Sequence, residues 1–285
     1  MREKRIGELQ MLACAVMWSI SGIIIKYIDW SPLAIAGGRS LVSAVVVVVF
    51  MVASKMRPII NKQVIWAGVS LFGCVTCFVT ANKMTTAANA IVLQYIAPAF
   101  VLIFSAVFLK HKLKKIEIAV VASTFLGIIL FFVDEIDFDG MMGNFIAICS
   151  GLFMAIMFVF NGKLNLDARM TGILVAHLLT ATIGLPIGFA TYETVITQQD
   201  IMLILLLGVV QLGIPYVLYA LAASKISPLS CSLIGMIEPL LNPIWVAIFY
   251  GEMPGLFAVL GGVIVIVSVL IHNIWDEKQS KLGLS

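Results

Sequence analysis

"QYIAPAFVLIFSAVFLKH", residues 94–111, returns 141 residues later as "GMIEPLLNPIWVAIFYGE", residues 235–252. Superposed, Ile96 meets Ile237, Pro98 meets Pro239, Ile103 meets Ile244, Ala106 meets Ala247 and Phe108 meets Phe249. Both stretches belong to apolar runs long enough to cross a bilayer. Each carries a proline near mid-span, which removes one backbone donor and frees a carbonyl one turn earlier. Chance identities are common among apolar helices, so the repeat needs independent support. The placement of charge along the rest of the chain supplies it.

The chain has 285 residues, of which 61% are hydrophobic and 12% charged, with a mean hydropathy of +1.10. Soluble domains carry about 25% charged residues and cannot hide this much apolar surface. We therefore expect an all-α integral membrane protein. Apolar windows fall at 8–28, 33–53, 64–82, 87–109, 116–133, 143–161, 171–190, 201–222, 229–250 and 255–274, which makes ten transmembrane helices. The basic start (Arg2, Lys4, Arg5) and the apolar run from Leu9 resemble a signal peptide, but without a small-x-small exit site the run reads as the first span. The connections are short and rich in proline and charge, so no soluble domain is inserted.

With the N-terminus in the cytoplasm, 15 of the 18 Lys and Arg residues fall in inside loops or at the termini, and Lys26, Lys83 and Arg39 are the exceptions. The opposite loops hold Asp134, Glu135, Asp137, Asp139, Glu193, Asp200 and Glu252. Both termini are then cytoplasmic, in a multi-pass protein of the cell (plasma) membrane. The loop after the first quoted stretch is basic, whereas the loop after its counterpart holds Glu252. Equivalent loops thus lie on opposite faces, as two five-helix halves require. We expect inverted repeats, 1–139 and 140–285, the arrangement in which two halves rock about a central site.

Glu238 is the carboxylate that most needs an explanation. An acid at mid-span costs about 2.5–3.5 kcal/mol on insertion scales, so it faces the bundle or a wet cavity. Helical spacing places Cys231, Gly235, Glu238, Asn242 and Trp245 on one face. We take that face to line a pathway in which Glu238 exchanges a proton or meets a cationic substrate group. A packing role, in which Glu238 pairs with Arg39 or His177, is the alternative. Gln94, in the repeat counterpart of that turn, is the second choice. Trp18 presents an amphipathic ring, and Gln211 and Tyr219 share a face with Pro215. Arg39 is read as structural or topological, at a depth from which it can snorkel to the headgroups, with attraction of a substrate carboxylate as the alternative. His177 is read as hydrogen-bonded to a neighbouring helix.

No phosphate loop, H-E-x-x-H, G-x-S-x-G or paired-cysteine metal pattern is present in the sequence. No ATP motor, metal or cofactor is expected. The net charge of +3 is spread over loop clusters, so nucleic acid is not an expected partner. The five cysteines all sit in apolar runs, and Cys74 and Cys77 read as packing residues. Gly184-x-x-x-Gly188 and Gly251-x-x-x-Gly255 abut prolines and assign no oligomeric state.

Taken with "AVMWSISG" (15–22), Arg39, "YIAPAFVLIFSAVFL" (95–109) and "YALAASKISPLSCSLIGMIEPLLNPIWVAIFYGE" (219–252), the chain resembles the EamA-type ten-helix carriers of the drug/metabolite transporter superfamily. The resemblance covers nearly the whole chain. It implies a secondary transporter that moves small metabolites, often amino acids, outward or sometimes inward; we expect an exporter of small polar metabolites whose partners are its small-molecule substrate, the lipid bilayer and, through the lone central carboxylate Glu238, protons. The second half keeps the family's turn as Gly251-Glu252, whereas the first has Lys110-His111, which removes the basis for a symmetric role there. Two other classes stay open. One is a membrane-embedded enzyme acting on a lipid-linked substrate, for which "DEIDFDG" (134–140) is the acidic cluster available. The other is a non-transporting structural or sensory protein.

Overall fold

The computed structural model describes residues 2–110, 112–133, 140–191, 195–241, 245 and 255–281, and among these all regular structure is helical. The order is α1 (Arg2–Trp18), α2 (Ser21–Tyr27), α3 (Pro32–Ala53), α4 (Lys62–Met84), α5 (Ala87–Gln94), α6 (Ala97–Phe108), α7 (Lys115–Phe131), α8 (Met141–Lys163) and α9 (Leu166–Thr191). Then come α10 (Gln198–Leu206), a π-helical segment (Leu207–Gly213), α11 (Ile214–Ala222), α12 (Pro228–Gly235) and α13 (Leu256–Lys281). Among the described residues, seven helices are long and apolar enough to cross a membrane, and Pro228–Leu241 is a shorter apolar helix. The chain is a multi-pass membrane protein.

Several starts follow local chemistry. Ser31 and Ser227 cap helices that open with Pro32 and Pro228, while Asn61 and Thr86 accept from the backbone N–H three residues on. Thr197 and Asp200 cap each other reciprocally.

Three expected spans are not continuous helices. The 8–28 window breaks at Ser19–Ile20, the 87–109 window at Tyr95–Ile96, and the 229–250 window turns at Met236. In the last two the cause is the proline: Pro98 cannot donate to Gln94 O, nor Pro239 to Gly235 O, so each helix loses its ladder one turn before the proline. The single helical face expected to run from Cys231 to Trp245 is therefore interrupted.

Glycines set the closest approaches. A Cβ on Gly184 would lie 2.7 Å from Leu33 O, and one on Gly188 would fall within the backbone of Ala34, so α3 and α9 meet almost backbone to backbone. The Gly184/Gly188 pair is thereby used inside the chain. Gly188→Ala is expected to push α3 off α9 and to cost about 1–3 kcal/mol, read as a lower thermal midpoint in detergent. An unchanged midpoint would show that α3 gives way freely.

The basic loops gather at one end of the bundle. Lys4 pairs with Asp276 at 2.7 Å, Lys225 Nζ donates to Gln10 Oε1 and Lys163 Nζ to Phe108 O. Arg169, 1% exposed, donates there to the carbonyls of Asn161, Leu164, Ala220 and Ala223 and to Ser224 Oγ. It thereby serves the carbonyl ends of α8 and α11, where a cation is favoured. At the other end Ser31 Oγ donates to Gly188 O and Lys83 Nζ to Ile28 O.

Candidate functional site

The helix breaks and the π-helical segment converge in the middle of the bundle. Irregular backbone at membrane depth is tolerated where it lines a cavity or is buried in protein, and here it borders a small cavity of about 40 Å³. The lining includes Trp18 from the end of α1, Arg39 from α3, Gln94 from the end of α5, Gln211 from the π-helical segment and Glu238 from the helical stretch just beyond the turn at Met236. These are five of the eight residues that the sequence nominates, drawn from both halves.

Most of the polar side chains have a hydrogen-bond partner. Gln94 Nε2 donates to Ser150 Oγ at 2.7 Å, and Ser150 Oγ donates to Cys74 O. Arg39 Nη1 donates to Gln211 Oε1 at 3.1 Å. The π-helical register presents Gln211 to Arg39, a placement typical of the functional use of such bulges. Glu238 Oε2 lies 2.5 Å from the Tyr95 hydroxyl. Trp245 Nε1 donates to Ser19 Oγ at 2.8 Å, tying the segment beyond Glu238 to the break between α1 and α2.

Arg39 does not snorkel. It is 1% exposed and lines the cavity, its Nε has no hydrogen-bond partner among the described residues, and no carboxylate stands within 4 Å of it there. The direct Arg39–Glu238 ion pair offered as one packing alternative is thus not formed. The arrangement is a buried cation and a carboxylate on one cavity, each with one neutral hydrogen-bonding neighbour. Uncompensated charges of this kind are costly in a bundle interior. They would be stabilised by a ligand carrying complementary groups.

Two nominated residues stand one layer back. Tyr219 is fully buried and packs against Trp18 and Phe158. His177 is also fully buried, edge-on to Tyr216 at 5.3 Å, and neither of its ring nitrogens has a hydrogen-bond partner among the described residues. The expected hydrogen bond from His177 to a neighbouring helix is not formed, because α11 offers an aromatic face there. Asn242 lies outside the described residues, as do His111, Gly251, Glu252 and 134–139 of the acidic cluster.

Tyr95 and Tyr216 escaped the sequence reading. Tyr216 lines the cavity and packs tilted against Trp18, ring centroids 5.4 Å apart, and Tyr95 reaches Glu238. The signal for Tyr95 was its place in the repeated stretch, three residues before Pro98, where a helix break turns a side chain out of register. Tyr216, beside Pro215, carried no periodic mark.

At about 40 Å³ the cavity has room for a few waters, far below the roughly 300 Å³ at which small-molecule sites begin.

A polytopic helical protein with charged groups of both signs at a small central cavity has the construction of a solute carrier. The chain belongs to the EamA-like transporter family, whose model matches residues 5–133 and again 141–274. It is similar to an uncharacterized transporter of Archaeoglobus fulgidus, 23% identical over 274 residues that span 96% of this chain and 97% of that one. A second uncharacterized transporter, from Clostridium kluyveri, is 24% identical over 71% of this chain and 68% of its own. A protein crystal structure matches with a TM-score of 0.78 at 14% identity, covering 95% of this chain and 98% of that chain, and shows the same fold.

Proposed function

We propose that the protein is a secondary active transporter that exports small polar metabolites such as amino acids. It alternates access by rocking two inverted five-helix repeats, 1–139 and 140–285, in a ten-helix bundle. Glu238 binds the cationic end of the substrate or a coupling proton, Arg39 with Gln211 binds an anionic end, and Gln94 and Trp18 complete the wall. Tyr219 and His177 shape that wall from behind, and Asn242 belongs to the same segment as Glu238.

One observation carries this reading: a buried Arg39 and a half-buried Glu238, with no ion pair between them among the described residues, line one small cavity at which the broken helices meet. The aligned breaks at Tyr95 and Met236, 141 residues apart, support the repeat. The gathering of Lys4, Lys163 and Lys225 at one end supports cytoplasmic termini in a plasma membrane, by the positive-inside rule. Export is the commoner of the two directions that the family resemblance implies.

The test is counterflow. Protein in liposomes preloaded with single amino acids is expected to accumulate the matching labelled solute, and an imposed pH gradient is expected to drive net flux. Absence of flux for every amino acid, with monodisperse protein, would overturn the reading in favour of an enzyme or a structural role.

A further inference from the structure

Pro239 has no N–H, so the carbonyl of Gly235 is without its intrahelical donor. Tyr95, reaching across from the equivalent break in the first half, supplies one: its hydroxyl lies 3.0 Å from Gly235 O. The same hydroxyl lies 2.5 Å from Glu238 Oε2. A phenol has one proton to donate, so Tyr95 serves one of these two acceptors at a time. Tyr95 is 1% exposed, which leaves little water to relieve the competition.

The choice between acceptors depends on Glu238. A carboxylate attracts a hydroxyl more strongly than a carbonyl does, and it loses that advantage when it binds a proton or an ammonium group. We propose that Tyr95 is a positioning residue that couples the state of Glu238 to the geometry of the broken helix. Its hydroxyl bonds Glu238 while that carboxylate is unengaged. It moves to the freed carbonyl of Gly235 when a proton or a cationic substrate group neutralises Glu238, and so locks the break. The proposal rests on the reading of Glu238 as the binding group for substrate or proton.

The first half contains the control. Pro98 frees the carbonyl of Gln94 in the same way, but there the backbone of α8 closes over it: a Cβ on Gly151 would lie 2.5 Å from Gln94 O. That break is held by backbone packing, which no change of charge reverses. The break before Glu238 is held by a hydrogen bond that a change of charge can redirect, so the two halves are alike in kink and unlike in control. Arg39 on α3, Cys74 on α4 and Tyr216 on α11 also face the cavity. Of these Arg39 is the charged one, and it stays cationic throughout.

The test uses two substitutions that reach the same bond from opposite sides. Tyr95→Phe removes the donor. Pro239→Ala returns an N–H to Gly235 O and makes the carbonyl permanently satisfied; Pro239→Gly does the same if the alanine variant is not monodisperse. The readout is counterflow of a mixture of radiolabelled L-amino acids by full-length protein in liposomes. Each single variant is expected to slow counterflow by about tenfold with its half-saturation concentration within about threefold of wild type. The double variant is expected to be no slower than the slower single, because two changes acting through one bond do not add.

Multiplied effects in the double variant, about hundredfold, would overturn the proposal, as would wild-type flux in Tyr95→Phe. A rise in half-saturation that accounts for the whole loss would overturn it too, since Tyr95 would then act as a contact. Failure of the transporter reading is seen separately, as no counterflow by the wild type.

Discussion

Glu238→Gln is expected to abolish transport driven by a pH gradient and to slow counterflow of cationic and zwitterionic solutes by about 10² or more, in protein that remains folded. Glutamine keeps the size of the side chain, and the Tyr95 hydroxyl has Gly235 O at 3.0 Å as its other acceptor, so the local packing survives. It cannot bind and release a proton or offer a negative charge. Losing one charge from an interaction in a dry interior costs about 2–5 kcal/mol, which is the expected range of the effect. Glu238→Asp keeps the charge on a shorter stem and should recover part of the flux. The measurement is initial counterflow and gradient-driven uptake in liposomes, with thermal melting to confirm folding. Full activity and an unaltered response to the gradient in Glu238→Gln would end the case for this acid as the working group.

Arg39→Met is expected to remove the requirement for a carboxylate on the substrate. Arg39 is 1% exposed, gives one bond to Gln211 and keeps an unpartnered Nε among the described residues, all at the cavity wall. In the wild type an amino acid should exceed its decarboxylated amine by about 10² in flux, and in Arg39→Met the two should become comparable through loss of the amino acid. A lost bidentate partner for a carboxylate accounts for a factor of this order. Arg39→Lys should restore the charge but only part of the preference, because an ammonium does not match the planar fork. If both solutes fall equally and the melting point falls with them, Arg39 is holding helices together.

Much of the fold was legible because a bilayer imposes simple rules. The windows at 33–53, 64–82, 143–161 and 171–190 reappear as α3, α4, α8 and α9 with ends shifted by a few residues, set by caps and prolines such as Asn61 and Ser31-Pro32. The breaks were less legible. Hydropathy averages over a window, so it cannot see that Ser19–Ile20, Tyr95–Ile96 or Met236 leaves the helix while the run stays apolar. The prolines were visible, but the partners of the carbonyls they free were not.

The site divides in the same way. Glu238, Gln94, Trp18, Gln211 and Arg39 could be picked out singly as polar or amphipathic groups where lipid-facing helices do not carry them. That they share one cavity depends on five segments spread over about 220 positions. The snorkelling assigned to Arg39 failed because depth along a helix says nothing about direction around it. The hydrogen bond assigned to His177 failed because the neighbour at that level is the ring of Tyr216.

By itself the sequence determined that the chain lives in a membrane, where its charges gather and where its two repeated prolines fall, because hydrophobic length, loop charge and a missing N–H are properties of residues taken in order. Only the tertiary structure decided that Tyr95, in the first half of the chain, meets both the acid and the freed carbonyl in the second, and that Arg39 turns inward to the same space. Those are relations between side chains far apart in the chain, set by how broken helices pack.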